Sequence, residues 1–237
     1  MIESAGLEHC LSFINCQLQD GGKSGTHAEG GVRRAVTISR QAGCGAFAVA
    51  QKLAEYLQSR SPKDACPWTV FDRNLMDKVL EDHNLPTRLA RLLPEDTVSK
   101  IDDILAELFD VRPSAETMVQ QTTETILRLA SLGNVILIGR GSTVTTAKLP
   151  HVLHVRLVAP LEKRVEYSHK EYHKFNLTLD QARKFCLNED RGRERYLKKH
   201  FDADINDPLL YHMIINTGLV NYDDAAKLIG DAVLSLH

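Results

Sequence analysis

The sequence predicts an α/β fold built on a parallel five-stranded sheet flanked by helices. Three observations carry this reading. Short runs rich in Val, Ile and Leu recur at 35–39, 69–72, 135–139, 152–158 and 212–216, as expected of strands buried on both faces. Segments with apolar residues at helical spacing lie between them, and this alternation implies right-handed crossovers and a parallel sheet. The first run also passes through a glycine turn directly into an amphipathic helix, from Ala35 to Leu53.

Taken in order, residues 1–20 read as an N-terminal helical appendage, with Leu7, Leu11, Ile14 and Leu18 on one face of a helix over 2–18. Three fates are open to this helix: packing on the body, pairing with another subunit, or staying mobile. Residues 21–32 read as a flexible, glycine-rich linker. The Gly22-Lys23-Ser24 string has neither a strand before it nor a helix after it and is set aside. The main domain spans 33–237. Val49, Leu53 and Leu57 mark the helix after the glycine turn, and Ile101, Ile104, Leu105 and Leu108 mark another. A segment over 115–132 precedes the third strand, and 160–174 and 178–199 lie between the fourth and fifth. Thr178 and Gln181 form a capping box at the head of the last of these. Ala225, Leu228, Ile229, Ala232, Val233 and Leu236 define the final helix.

Composition narrows the class. With 237 residues, 43% of them hydrophobic, one core with a small appendage is expected. No apolar run is long enough to span a membrane, and Met1 to Asp20 lacks the cationic start of a signal peptide. A net charge of −2 gives no bulk attraction to nucleic acid or anionic lipid. Five cysteines (Cys10, Cys16, Cys44, Cys66 and Cys186) with no C-x-x-C pair predict neither a disulfide framework nor a zinc site, and favour a reducing cytoplasm. Cys44 reads as a small residue that fits the turn. His169, His173 and His200 read as surface residues, His151 and His154 carry no distinctive pattern, and no metal site is expected.

The glycine turn is where chemistry is expected. A strand, a glycine turn and a helix N-terminus together aim backbone N–H groups at an anion. The standard cradle is G-x-x-x-x-G-K-[ST]. Here Arg40 holds the first position, Gly45 the second glycine, Ala46 the lysine position and Phe47 the magnesium-binding hydroxyl position. Ligands of such sheets bind outside the carboxyl ends of the strands. Arg40, Arg73 and Arg140 fall at three of those ends, and a multiply charged phosphate explains such a set better than packing does.

With these residues in view, the chain resembles the cytidylate kinase-like proteins, a divergent branch of the P-loop nucleoside monophosphate kinases, from about residue 35 to 236. Ile38-Ser39-Arg40-Gln41-Ala42-Gly43-Cys44-Gly45 looks like the first turn of that branch, which commonly lacks the lysine. Phe71-Asp72-Arg73 is similar to its Tyr-Asp-Arg segment. Ile138-Gly139-Arg140-Gly141 resembles the Gly-Arg-Asp acceptor element, with Gly141 in place of the aspartate. Val155 to Arg164 looks like its fourth strand and next helix, and Tyr211 to Gly218 like its last strand. Asp190-Arg191-Gly192-Arg193 resembles the Asp-Arg-x-Arg cluster near the mobile lid.

The resemblance implies a P-loop NTPase-type fold with a helical lid and acceptor region, and phosphoryl transfer from ATP to a nucleoside monophosphate, CMP or dCMP first. It implies Mg2+ not held by a standard loop hydroxyl. Ser39, Gln41, Ala42, Gly43, Cys44, Gly45, Ala46 and Phe47 would surround the donor phosphates. Arg40, Arg191 and Arg195 would neutralise the transferring group. Asp72, Arg73, Arg140, Asp190 and Arg193 would hold the acceptor, with Asp72 alternatively holding magnesium through water. Two other readings stay open: a nucleotide-binding regulator without turnover, and a kinase of another small acceptor.

Overall fold

Five strands form one all-parallel sheet in the order β2-β3-β1-β4-β5. This is seen in a computed structural model that describes residues 12–17, 34–62, 65–72, 89, 92–110, 117–171 and 177–236. The strands are β1 (Ala35–Arg40), β2 (Thr69–Phe71), β3 (Val135–Ile138), β4 (Val152–Val158) and β5 (Met213–Asn216). The helices are α1 (Ala46–Gln58), α2 (Glu95–Asp110), α3 (Thr117–Leu132), α4 (Ser142–Thr145), α5 (Leu161–Glu171), α6 (Leu179–Phe201) and α7 (Tyr222–Leu234). A helical segment at 12–17 precedes them, and a 3-10 turn (Pro208–Leu210) precedes β5.

Strand pleating sends alternate residues to opposite faces. On one face Val36, Ile38, Val155 and Leu157 pack with Val49 and Leu53 of α1 and Ala225, Ile229 and Val233 of α7. On the other, Ala35, Val135, Leu137 and Phe71 pack with Ile101 of α2 and Ile126, Leu127 and Leu129 of α3. This second face turns polar toward the carboxyl ends. Thr37 Oγ1 lies 2.8 Å from His154 Nδ1, and Ser39 pairs in register with Arg156.

Local signals set the ends of the key helices. The capping box of α6 forms as its sequence predicts: Gln181 N–H donates to Thr178 Oγ1, and Thr178 N–H to Gln181 Oε1. By contrast α1 starts at Gly45 with no side-chain cap and no acidic residue in its first turn. Its orphan N–H groups are therefore left for another acceptor.

Phe13 and Ile14 are buried in the α2/α3 core, with Phe13 edge-on to Phe71. Of the alternatives open to the N-terminal segment, this part packs on the body, and Ile14 is not presented for self-association. Leu7, Leu11, Leu18 and the expected linker lie outside the described residues. One expectation needs correction. Cys16 and Cys66 form a disulfide, their Cα atoms 5.7 Å apart. Spacing along the chain gives no hint of this, because it follows from the docking of 12–17. Disulfides persist in oxidising compartments, so this pair gives no support to the reducing cytoplasm expected from the cysteine pattern. Among the described residues no helix is long and apolar enough to cross a membrane.

Candidate phosphate-binding cleft

A cleft of about 250 Å³ opens at the carboxyl ends of β1 and β3 beneath α6. Ser39 and Arg40 enter it from β1, and Arg140 and Ser142 from the turn after β3. Glu189, Arg193 and Tyr196 enter from α6, and Ile205 and Tyr211 from the segment that follows it.

Arginines converge here because the backbone makes room for them. Gly139 has φ +82°, and a Cβ there would collide with the Arg40 guanidinium. Arg40 thus lies across the turn that carries Arg140. Burial, and then repulsion from Arg193, push the Arg40 guanidinium down to about 10, while Cys44, Glu189 and Asp72 offset part of this. It stays charged at neutral pH, but its surroundings are short of negative charge. Arg193 is held toward the cleft by Glu189 at 3.0 Å and Asp190 at 3.3 Å. Three guanidinium groups therefore face one small space.

The glycine turn beside it is braced from several sides. Asp190 Oδ1 accepts the Ala42 N–H at 2.7 Å, and Asp190 Oδ2 accepts Arg164 Nη1 at 2.6 Å. Arg164 also donates to the Ala42 and Ala159 carbonyls. Gln41 N–H donates to Leu157 O, and Gln41 Oε1 accepts from Ala159 N–H. Thr217 Oγ1 donates to the Cys44 carbonyl. Ala46 N–H is turned toward the Cys44 thiol, which burial pushes up to about 11. Cys44 is thus buried and neutral. The N–H groups of Gly43, Cys44, Gly45 and Phe47 have no acceptor among the described residues. Unpaired N–H groups at a helix N-terminus are the usual partners of an anion.

The expected site residues accordingly divide. Ser39, Arg40, Arg140 and Arg193 are brought together in the cleft. Asp72 lies close enough to favour the Arg40 charge. Gln41 and Ala42 build the turn through the bonds above, so Ala42 is not a free donor. Asp190, expected to touch the acceptor, instead ties α6 to the glycine turn. Arg191 and Arg195 stand exposed on α6 and do not line the cleft, because Glu189, Arg193 and Tyr196 occupy its inner side. Arg73 lies outside the described residues. At position 141, φ is +75° and a Cβ would meet the Phe201 ring. An aromatic ring fills the space that an aspartate would need.

Two buried cations went unnoticed in the sequence. Arg164 is one, and Arg156 of β4 is the other, 5% exposed and bonded to Ser39. Their only advance sign was an arginine inside an otherwise apolar strand and another in the first turns of a helix beside a glycine turn. His154 was also read as featureless. It is 5% exposed, and burial and then His212 push its imidazole down to about 4.

No three His, Cys, Asp or Glu side chains among the described residues group to hold a metal ion. Phe47, 40% exposed, supplies no hydroxyl where the standard cradle has one. The residues present do not fit a loop-held magnesium.

The all-parallel five-stranded sheet with flanking helices, and a glycine turn feeding α1, define a P-loop kinase-like α/β protein. The sequence matches the cytidylate kinase-like family over residues 35–219, and the chain belongs to that family. The fold is similar to a crystal structure of an uncharacterized protein from Eubacterium ventriosum, with a TM-score of 0.56 and 16% identity, covering 86% of this chain and 99% of that one. That likeness concerns the fold alone. A stretch of 112 residues, 47% of this chain, is 32% identical to part of a uronate isomerase from Corynebacterium glutamicum. The match spans 21% of that protein's length.

Proposed function

We propose that this protein transfers a phosphoryl group from ATP to a nucleoside monophosphate, with CMP and dCMP the first candidate acceptors. The observation that carries the reading is the convergence of Arg40, Arg140 and Arg193 on one cleft beside a glycine turn with uncommitted N–H groups. Phosphoryl transfer needs positioning and charge neutralisation more than covalent chemistry. In this reading Arg140 and Arg193 hold the acceptor phosphate. The N–H groups of Gly43, Cys44, Gly45 and Phe47 receive the donor phosphates, and Arg40 lies between the two and supplies charge that the loop lacks at Ala46. The family implies ATP with Mg2+, but no step of the reading rests on a loop-held metal. Nucleotides are the proposed partners.

A second reading is a nucleotide-binding regulator that does not turn over. Ala46, Phe47 and the seating of Asp190 on Ala42 favour it. An ADP-release assay with ATP, magnesium and a panel including CMP, dCMP and UMP separates the two. Turnover with one pyrimidine nucleotide is expected. ATP binding without ADP release for any acceptor overturns the kinase reading.

A further inference from the structure

Arg156 and Arg164 are both almost completely buried arginines near the cleft, at 5% exposure each. Their partners differ. Arg164 faces the carboxylate of Asp190 at 2.6 Å. Arg156 has only neutral partners among the described residues. Nη1 donates to Ser39 Oγ at 2.8 Å, Nη2 donates to Asn206 Oδ1 at 3.3 Å, and the guanidinium carbon lies 5.7 Å from the Tyr211 ring centre. A charge taken out of water without a counter-charge is costly. The strand has no need of it, since a neutral side chain in register with Ser39 would complete the sheet.

The hydrogen-bond directions around Ser39 account for the arrangement. A guanidinium only donates, so Ser39 Oγ accepts from Arg156. Tyr211 donates to the Ile205 carbonyl at 2.8 Å and lies 3.3 Å from Ser39 Oγ. With the Tyr211 proton on Ile205, the Ser39 proton has two acceptors in reach, the Tyr211 oxygen and an anion in the cleft that Ser39 and Tyr211 both line, and a charged phosphate oxygen is the stronger acceptor of the two.

We infer that Arg156 is a positioning residue for a phosphoryl ligand: it fixes the Ser39 hydroxyl as a hydrogen-bond donor into the cleft and sets a buried positive charge behind it. The ligand class is a phosphate dianion or a monoester of it. This deepens the function proposed above and rests on the same cleft, but moves Ser39 from the donor loop to the anion held by Arg140. Arg156 acts only through Ser39 and through its field.

The test uses the full chain and inorganic phosphate as probe, with binding followed by calorimetry across the second ionisation of phosphate. Wild-type affinity should rise as the dianion forms. Ser39→Ala and Arg156→Gln should each weaken binding by about tenfold, the scale of one charge-assisted hydrogen bond. Arg156→Gln should also flatten the preference for the dianion, which a merely structural residue would not do, and Arg156→Lys should restore part of it. Because one residue acts through the other, Ser39→Ala combined with Arg156→Gln should cost much less than the product of the two single effects. Ser39→Ala, in a half-buried position, keeps the test open if Arg156→Gln fails to fold. Wild type that binds no phosphate, Ser39→Ala that binds as wild type does, or fully multiplicative effects would each overturn the assignment. Nucleotide turnover in which Arg156→Gln leaves the acceptor KM unchanged sinks this inference and leaves the kinase reading standing. Phosphate binding that depends on Arg156, with no turnover, does the reverse.

Discussion

The Asp190 carboxylate and the Ala42 backbone nitrogen are 2.7 Å apart although 148 residues separate them in sequence. That bond joins α6 to the glycine turn, and Arg164 completes the junction by bonding both residues. Arg164 and Asp190 side chains are only 7% and 17% exposed. Replacing Asp190 by Ala leaves the Arg164 charge buried, a change that typically costs about 3–5 kcal/mol. Urea denaturation should show a loss of that order. Pairing Arg164→Met with Asp190→Leu should recover most of it, because a well-packed apolar pair can replace a buried ion pair.

The cleft arginines should separate cleanly from the exposed ones. In the proposed reading Arg140 holds the acceptor phosphate, so Arg140→Ala should lower kcat/KM for the acceptor about 100-fold or more. Arg191→Ala and Arg195→Ala should stay near the wild-type value, since both residues are exposed and neither lines the cleft. Steady-state kinetics on the three variants decides the matter.

Placing an aspartate at position 141, as in the Gly-Arg-Asp element this turn resembles, should harm the protein. Gly141 sits at φ +75° against the Phe201 ring. Gly141→Asp then adds left-handed backbone strain of about 1–3 kcal/mol to a steric clash. Thermal denaturation should show a lowered midpoint, and adding Phe201→Ala should relieve the clash but not the strain.

His154 makes the fold sensitive to acid. Its imidazole titrates near 4 in the folded chain against an ordinary value of 6.5. The unfolded chain therefore takes up the proton first. The stabilising contribution of neutral His154 is complete above about pH 6.5 and is lost as pH falls toward 4, by roughly 3 kcal/mol. His154→Gln should flatten that limb of a stability profile measured by urea denaturation. An unchanged slope would place the acid sensitivity elsewhere.

Reduction should loosen the N-terminal segment. The Cys16–Cys66 bridge spans 50 residues, and closing a loop of that size typically adds about 3–4 kcal/mol. A reducing agent, or Cys16→Ser, should lower the melting temperature. Mass spectrometry after alkylation should find Cys16 and Cys66 modified only once the protein has been reduced.

Much of the fold could be read from the chain because strands buried on both faces leave unbroken Val/Ile/Leu runs. The third run was expected at 135–139 and β3 is Val135–Ile138; the fourth was expected and found at 152–158. The Thr178/Gln181 capping box is local chemistry and was equally visible. The cleft was legible where its residues sit at strand ends, as with Arg40 and Arg140. It was not legible where function depends on distant partners. Arg156 meets Ser39 across 117 residues, and Asp190 finds Ala42 across 148. On α6 the charged cluster was plain, but which side of the helix faced inward was settled only by its docking. The disulfide required the packing of 12–17 first.

The Arg40 guanidinium lies against Gly139 although 99 residues separate the two in numbering. A side chain at 139 meets two obstacles of different kinds: the tip of a flexible arginine, which can swing aside, and a backbone at φ +82°, which no change at 40 relieves. Shortening Arg40 widens the space without making the position permissive. Libraries that vary residues 40 and 139 jointly should therefore return glycine at 139 far more often than any other residue, whatever stands at 40.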